Sequence, residues 1–188
     1  MKYLDVPSNE EDAAKELGAK FDADSNRWFV PDGLCTSDFN LWLPVEPNIQ
    51  LVAPIFLVTS ANRCYSCNEI SVVHCLGSKA VFDLDDQEEI EGENPVLISN
   101  LSIDEPEIER AISEVAPLYN VDLSKTQGQQ VYMNHCEKCG AKLGDFFLHS
   151  EPGGAFFPTD EHPEMPLQKK VIVEAGRFTC SGSYRYPL

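Results

Sequence analysis

Basic side chains are scarce in this chain: 14 Lys and Arg stand against 31 Asp and Glu among 188 residues, a formal net charge of −17. The acids are spread along the sequence and no segment is basic. Such a surface repels a phosphate backbone at long range and speeds the approach of a cationic protein. Long apolar runs are missing as well. The longest, Leu51–Val58, has the length of a strand and is interrupted by Pro54, well short of the roughly 18 to 20 residues that span a bilayer as a helix. The opening MKYLDVPSNEEDAAK has no apolar stretch of a secretory leader, so a cytoplasmic location without membrane association is expected. GxSxG, HExxH and dinucleotide-binding patterns are absent, and Gly153-Gly154 lacks the lysine and helix start of a phosphate cradle. With no motif that names a nucleophile, a non-catalytic protein is expected.

What remains is a normal globular composition, 43% hydrophobic and 24% charged, enough to bury a core. Two parts are expected, residues 1–45 and 46–188, with Pro44 and Pro47 marking the boundary. In the first, Lys2–Val6 reads as a strand. Ser8 and Glu11 have the spacing of a capping box, Ala14 and Leu17 supply the inner stripe of the helix they open, and Gly18 stops it. Asn26–Val30 follows as a strand, giving a small βαβ-like module, with Phe39, Leu41, Trp42 and Leu43 as a last apolar patch.

The second part is strand-rich. Ile55–Val58 and Ile70–Leu76 flank one cysteine pair, and Lys79–Leu84 suggests a further strand. Asp83–Asn94 holds seven acids and no base and reads as a solvated loop, the calcium-loop register being absent. Asp104, Pro106 and Glu107 form a helix start; Ile108, Ala111, Ile112 and Val115 fall on one face, and Pro117 ends it. Lys169–Glu174 and Gly176–Cys180 look like a closing hairpin. The class is α+β.

The first segment carries Tyr3-Leu4, Val6-Pro7, Asp12, Ala14-Lys15, Leu17-Gly18-Ala19, Asp22, Trp28-Phe29-Val30-Pro31 and Gly33. In these it resembles a small bacterial domain of unknown function found in plasmid and mobile-element proteins, some joined to primase-like or helicase-like domains. Glu11 stands where that domain usually has lysine, and Phe21 where it has tryptophan. The resemblance implies a nucleic-acid contact, for which Arg27, Trp28 and Phe29, with Lys15 and Lys20, are the candidate surface. The lost base and the acidic balance weigh against it, and aromatics in so small a module are expected to be buried.

Seven cysteines make an odd number in a chain expected to stay in a reducing compartment, which favours thiolate metal ligation over disulfides. Cys64-x-x-Cys67 and Cys136-x-x-Cys139-Gly140 each supply two ligands at knuckle spacing. Together they complete a tetrahedron about 2.3 Å from a zinc ion. The 68 residues between Cys67 and Cys136 are then explained by an insertion, about 76–129, that returns the chain. The architecture resembles a zinc ribbon, and the phrase NHCEKCGAKLGDFFLHSEPGGAFFP resembles an uncharacterised bacterial zinc-ribbon protein. Four thiolates leave no corner for water, so the zinc is expected to be structural, although a rubredoxin-like iron site shares the knuckle chemistry. His135 and His149 are candidates to orient the ligands. His74 and Cys75, adjacent on a strand, point to opposite faces and make no dyad. Cys35, Cys75 and Cys180 are expected as buried fillers, and Asp160-Glu161-His162 as an exposed loop.

These features point to a zinc-stabilised bacterial interaction protein whose acidic surface engages a basic protein partner, an immunity or antitoxin-like inhibitor being one concrete form. The alternative is an accessory factor in nucleic-acid processing, disfavoured by charge.

Overall fold

The computed structural model describes residues 1–8, 10–159 and 166–185. Two compact units emerge: residues 1–45 with 123–130, and residues 46–122 with 131–188.

The first unit opens with β1 (Lys2–Leu4), α1 (Glu11–Glu16), β2 (Lys20–Asp22) and β3 (Arg27–Val30), followed by a 3-10 helix at Thr36–Trp42. β3 lies between β1 and β2 and runs antiparallel to both. The βαβ-like expectation is therefore corrected. A three-residue strand, too short to read in the sequence, turns the chain back so that Arg27–Val30 opposes β1 rather than running parallel to it. The capping box does not form either: α1 starts at Glu11 with Glu10 at its cap and no side-chain cap bond. The Glu10 carboxylate instead accepts the indole N–H of Trp42 at 2.6 Å. At the other end the amide of Ala19 bonds to Ala14 O and that of Gly18 to Lys15 O, a Schellman pair that satisfies the last carbonyls. Leu4, Ala14, Trp28, Val30, Phe39 and Trp42 form the core, whereas Leu17, expected on the inner stripe, is half exposed.

The second unit is built on three long strands, β4 (Ile49–Arg63), β5 (Ile70–Asp83) and β6 (Glu89–Ser102), then α2 (Pro106–Val115), β7 (Tyr119–Ser124) and β8 (Gln129–His135), except for their residues 123–130, and β9 (Lys142–Leu143). A π-helical turn at Phe146–Ser150, β10 (Gln168–Val173) and β11 (Arg177–Arg185) complete it. Its main ladder closes on itself: β4 pairs with β5, β5 with β6, β6 with β11, and β11 with β4, all antiparallel. Closure leaves few free edges, and bulges supply the bending it needs. β4 runs through Pro54 rather than breaking there, because Ala53 and Pro54 together oppose Lys79; at a bulge a missing N–H leaves no ladder bond unmade.

The expected closing hairpin is also corrected. β10 and β11 do not pair with each other; both run along β4, opposite Ile55–Thr59 and Ile49–Val52. The break between them falls beside the β4 bulge, where the Ala53 amide donates to Gly176 O at 3.0 Å. Asp83–Asn94 is no loop but the turn and opening of the β5–β6 hairpin, with the Asp83 carboxylate accepting the amides of Asp85 and Asp86. Ile49, Leu51, Ile55, Leu57, Leu76 and Ile98 fill the inside of the ring, each contributing about 1.5–3 kcal/mol by burial. The ring is capped by Ile108 and Ile112 of α2; Val115, on the expected inner face, is 40% exposed. α2 starts at Pro106 without a side-chain cap from Asp104. Among the described residues no helix is long and apolar enough to cross a membrane.

Candidate metal centre

Two chain reversals of the same construction meet beside the ring. The first joins β4 to β5: Cys64 N–H donates to Glu69 O at 2.8 Å, and Asn68 N–H returns to Cys64 O at 2.9 Å. The second joins β8 to β9: Cys136 N–H donates to Ala141 O at 2.9 Å, and Gly140 N–H to Cys136 O at 2.9 Å. In both, the residue after the second cysteine turns left-handed, Asn68 at φ 63° and Gly140 at φ 69°, which is why Asn and Gly stand there.

The four sulfurs, of Cys64, Cys67, Cys136 and Cys139, all lie within 4.8 Å of one another. Cys64 Sγ is 3.7 Å from Cys139 Sγ, and Cys67 Sγ is 3.6 Å from Cys136 Sγ. A tetrahedron with metal–sulfur bonds of about 2.3 Å has edges of about 3.8 Å. The spacing therefore suits one ion held by all four, and these residues can hold a metal.

The surroundings fit charged sulfur. The Ser66 amide points at Cys64 Sγ at 3.4 Å. The Cys136 thiol is drawn down to about 6, first by the amides of Cys139 and Lys138. Cys67 is pushed up to about 12, against the pull of the Glu69 amide, by burial and by its three sulfur neighbours. Four thiolates at this distance repel one another, and a cation among them removes the conflict.

Polar contacts tie the two reversals together. The Glu137 amide donates to Ser71 Oγ at 3.1 Å, its carboxylate accepts Val72 N–H at 3.3 Å, and Lys138 reaches Glu69 at 2.7 Å. Two residues before Cys136, the buried Asn134 side chain accepts His74 N–H at 2.7 Å and donates to His74 O at 2.8 Å. It thus supplies the missing rung between β5 and β8, a role no local pattern announces.

The histidines do other work. His135 places Nε2 3.0 Å from Asp122 Oδ2 and Nδ1 3.1 Å from Leu118 O, so its ring nitrogens are engaged away from the sulfurs. His149 is buried on the π-helical turn with its ring 4.7 Å from Phe156. Its Nε2 finds no hydrogen-bond partner among the described residues. Among the described residues neither is hydrogen-bonded to a sulfur of the four cysteines. His74 lies 3.0 Å from Thr59 Oγ1 through Nδ1.

Cys75 and Cys180 are buried, but Cys35 is exposed, beside Ser37 Oγ at 2.9 Å. Asp160, Glu161 and His162 lie outside the described residues. Among the described residues the acids of Asp83–Asn94 form no metal-binding group.

On the first unit, the aromatics of the candidate surface are more enclosed than its bases. Trp28 is 7% exposed and packs edge-on against Phe21, Phe29 is half-buried, and Lys15 lies over the Trp28 ring while paired with Asp12. Arg27 covers the Tyr3 ring and pairs with Asp5 at 2.7 Å; Lys15, Lys20 and Arg27 are exposed.

Sequence reasoning passed over the aromatics beside the four cysteines. Tyr65, between the first two cysteines, is 78% exposed, and Phe147, on the π-helical turn, is 65% exposed. A bulky ring inside a tight knuckle, with no room to fold inward, was the available signal.

Residues 1–44 match the family described as Domain of unknown function (DUF5710). The chain is similar to DNA primase TraC of Escherichia coli, 37% identical over 59 residues, which are 28% of this chain and 4% of that protein. The chain thus spans a small fraction of that relative's length. No solved structure matches.

Proposed function

We propose that the chain is a non-catalytic adaptor, clamped by a structural zinc ion in a zinc-ribbon arrangement, that engages a basic protein working in nucleic-acid processing. The observation that carries this reading is the sulfur tetrahedron. Four thiolates fill every corner, so the ion has no open position for water or substrate and its binding energy goes into folding. The net charge of −17 supports a cationic protein as partner and works against direct contact with a phosphate backbone. Asp85, Asp86, Glu88, Glu89, Glu91 and Glu93 stand exposed on one hairpin with no base between them. The similarity to part of a DNA primase favours a nucleic-acid-processing partner over a toxin, so the inhibitor form rests on net charge alone. A cytoplasmic location goes with the proposal.

Capture on the zinc-loaded chain of the proteins encoded beside it tests the reading, with affinity measured against salt. Affinity is expected to fall at least about tenfold between low and high salt. DNA or RNA retained at low salt, or a partner indifferent to salt, would overturn it.

A further inference from the structure

Beside the knuckles lies a cavity of about 460 Å³. One wall is Asn62, Arg63 and Tyr65, at the end of β4 and in the first knuckle; the other is Leu143, Phe147 and Leu148, at the end of β9 and on the π-helical turn. The size lies within the range of ligand pockets, roughly 300–1,000 Å³. We infer that this cavity is the docking site for a bulky apolar side chain, presented by a segment of the basic partner, and that the metal holds the two walls together. The inference rests on the adaptor reading.

The aromatics are the first support. Leu148 and His149 carry the packing of the π-helical turn, yet Phe146 and Phe147 project from it at 58% and 65% exposure, edge to face with each other. Tyr65 lines the same cavity as Phe147, and exposed aromatics that the core does not explain mark contact sites. The backbone beneath them is fixed: Glu151 N–H returns to Phe146 O, Phe156 N–H bonds to Leu148 O, and Gly154 packs against the carbonyls of the turn. π-helical turns recur at functional sites.

Charge chooses the occupant. Among the described residues the lining holds a single cation, Arg63, whose guanidinium already donates to Asn68 O at 2.9 Å, so a phosphate backbone would find no track of bases to follow. The neighbouring segments carry Glu69, Glu137 and Glu151 against Lys138, Lys142 and Arg185, but these bases are engaged with Glu69, Asp122 and the His149 carbonyl, and the whole chain is strongly acidic. A segment with an apolar anchor between basic residues fits both features.

The walls come from segments on opposite sides of the sulfur tetrahedron, which makes docking dependent on the ion.

The test uses the ¹⁵N-labelled, zinc-loaded full chain, titrated with three probes: the peptide Lys-Lys-Trp-Lys-Lys, its Lys-Lys-Ser-Lys-Lys counterpart, and a short oligothymidylate. The Trp peptide is expected to shift the amides of Tyr65, Gly144 and Phe147 and to bind about tenfold or more tighter than the Ser peptide, the worth of burying one large apolar side chain. Tyr65→Ser and Phe147→Ser, at exposed positions that leave the fold intact, should abolish that preference and spare the weak, salt-sensitive binding of both peptides. Equal binding of the two peptides with no shift at the cavity overturns the docking site and leaves the adaptor reading standing. Binding of neither peptide at low salt overturns both. Shifts of the same amides by oligothymidylate replace the peptide with a nucleic acid and overturn the assignment.

Discussion

At the scale of single residues, the neighbourhood of the metal centre holds two buried titratable groups of opposite tendency. Burial, with the nearby Arg185, presses His149 down to about 3. Burial also pushes Asp145 up to about 6, although one of its oxygens accepts the Asn100 amide at 2.6 Å, freed by the bulge in β6. For His149 the unfolded chain binds a proton near pH 6.5 that the folded chain refuses until about pH 3, so stability falls as pH drops through that window. For Asp145 the folded chain holds a proton up to about pH 6 that the unfolded chain loses near 3.9. Its stability contribution therefore rises as pH drops, and opposes the first. The histidine window is the wider, so acid should destabilise on balance. His149→Phe, which keeps the ring against Phe156, should flatten the loss of stability between pH 6.5 and 5, read from urea unfolding of the two zinc-loaded proteins side by side. Identical slopes would remove His149 as the cause. Asn134→Leu tests the single rung between β5 and β8: with His74 N–H and C=O both left unpaired, a loss of about 2–4 kcal/mol is expected in the same measurement.

At the scale of elements, the two knuckles form from local spacing, and an ion held by all four sulfurs would join what the chain separates. Cys64→Ser replaces a fully buried ligand. It should lower metal affinity by at least about tenfold and reduce the cooperative thermal transition, since a structural zinc contributes on the order of 10 kcal/mol in small domains. Metal content by mass spectrometry and the thiolate charge-transfer spectrum of the cobalt form check this. Cys35→Ser, at an exposed position, should leave stability within about 0.5 kcal/mol. Retention of one tightly bound ion by the Cys64 variant would refute the shared site.

What the sequence could convey follows the same division. Cys-x-x-Cys with Asn or Gly behind it is a local signal, as is the Ile108–Ile112 repeat of α2. Ladder partners are not local. Nothing in Lys169–Cys180 tells that β10 and β11 share β4 rather than each other, because that is settled by the bulge at Ala53-Pro54, over a hundred residues away. Helix caps failed for a related reason: Ser8 and Asp104 have the right chemistry, but Trp42 and Pro106 determine where those helices begin.

At the scale of the whole molecule, the hydrophobic interior is divided in a way that metal removal should reveal. The larger cluster, inside the closed ladder and under α2, contains none of the four ligands. The smaller one, with Val58, Val73, Leu143, Leu148 and Phe156, has Cys64 and Cys136 within it and Cys67 packed against it. Without the ion, four crowded sulfurs either keep protons or repel, and the second knuckle with β9 and the π-helical turn is left to the hydrogen bonds of Glu137, Lys138 and Asn134 and to the apolar contacts of the smaller cluster. The ring needs no such help, since its strands are paired around the circuit and its side chains are enclosed. Chelation should therefore melt part of the unit, not all of it. Hydrogen exchange is expected to rise across 64–69 and 136–156 while 76–82 and 96–99 stay protected, the pattern of separate cooperative units. Uniform loss of protection would show that the ion supports the entire fold. Unchanged exchange around the cysteines would show that side-chain contacts alone hold the two knuckles, and the docking cavity beside them would then be free of metal control.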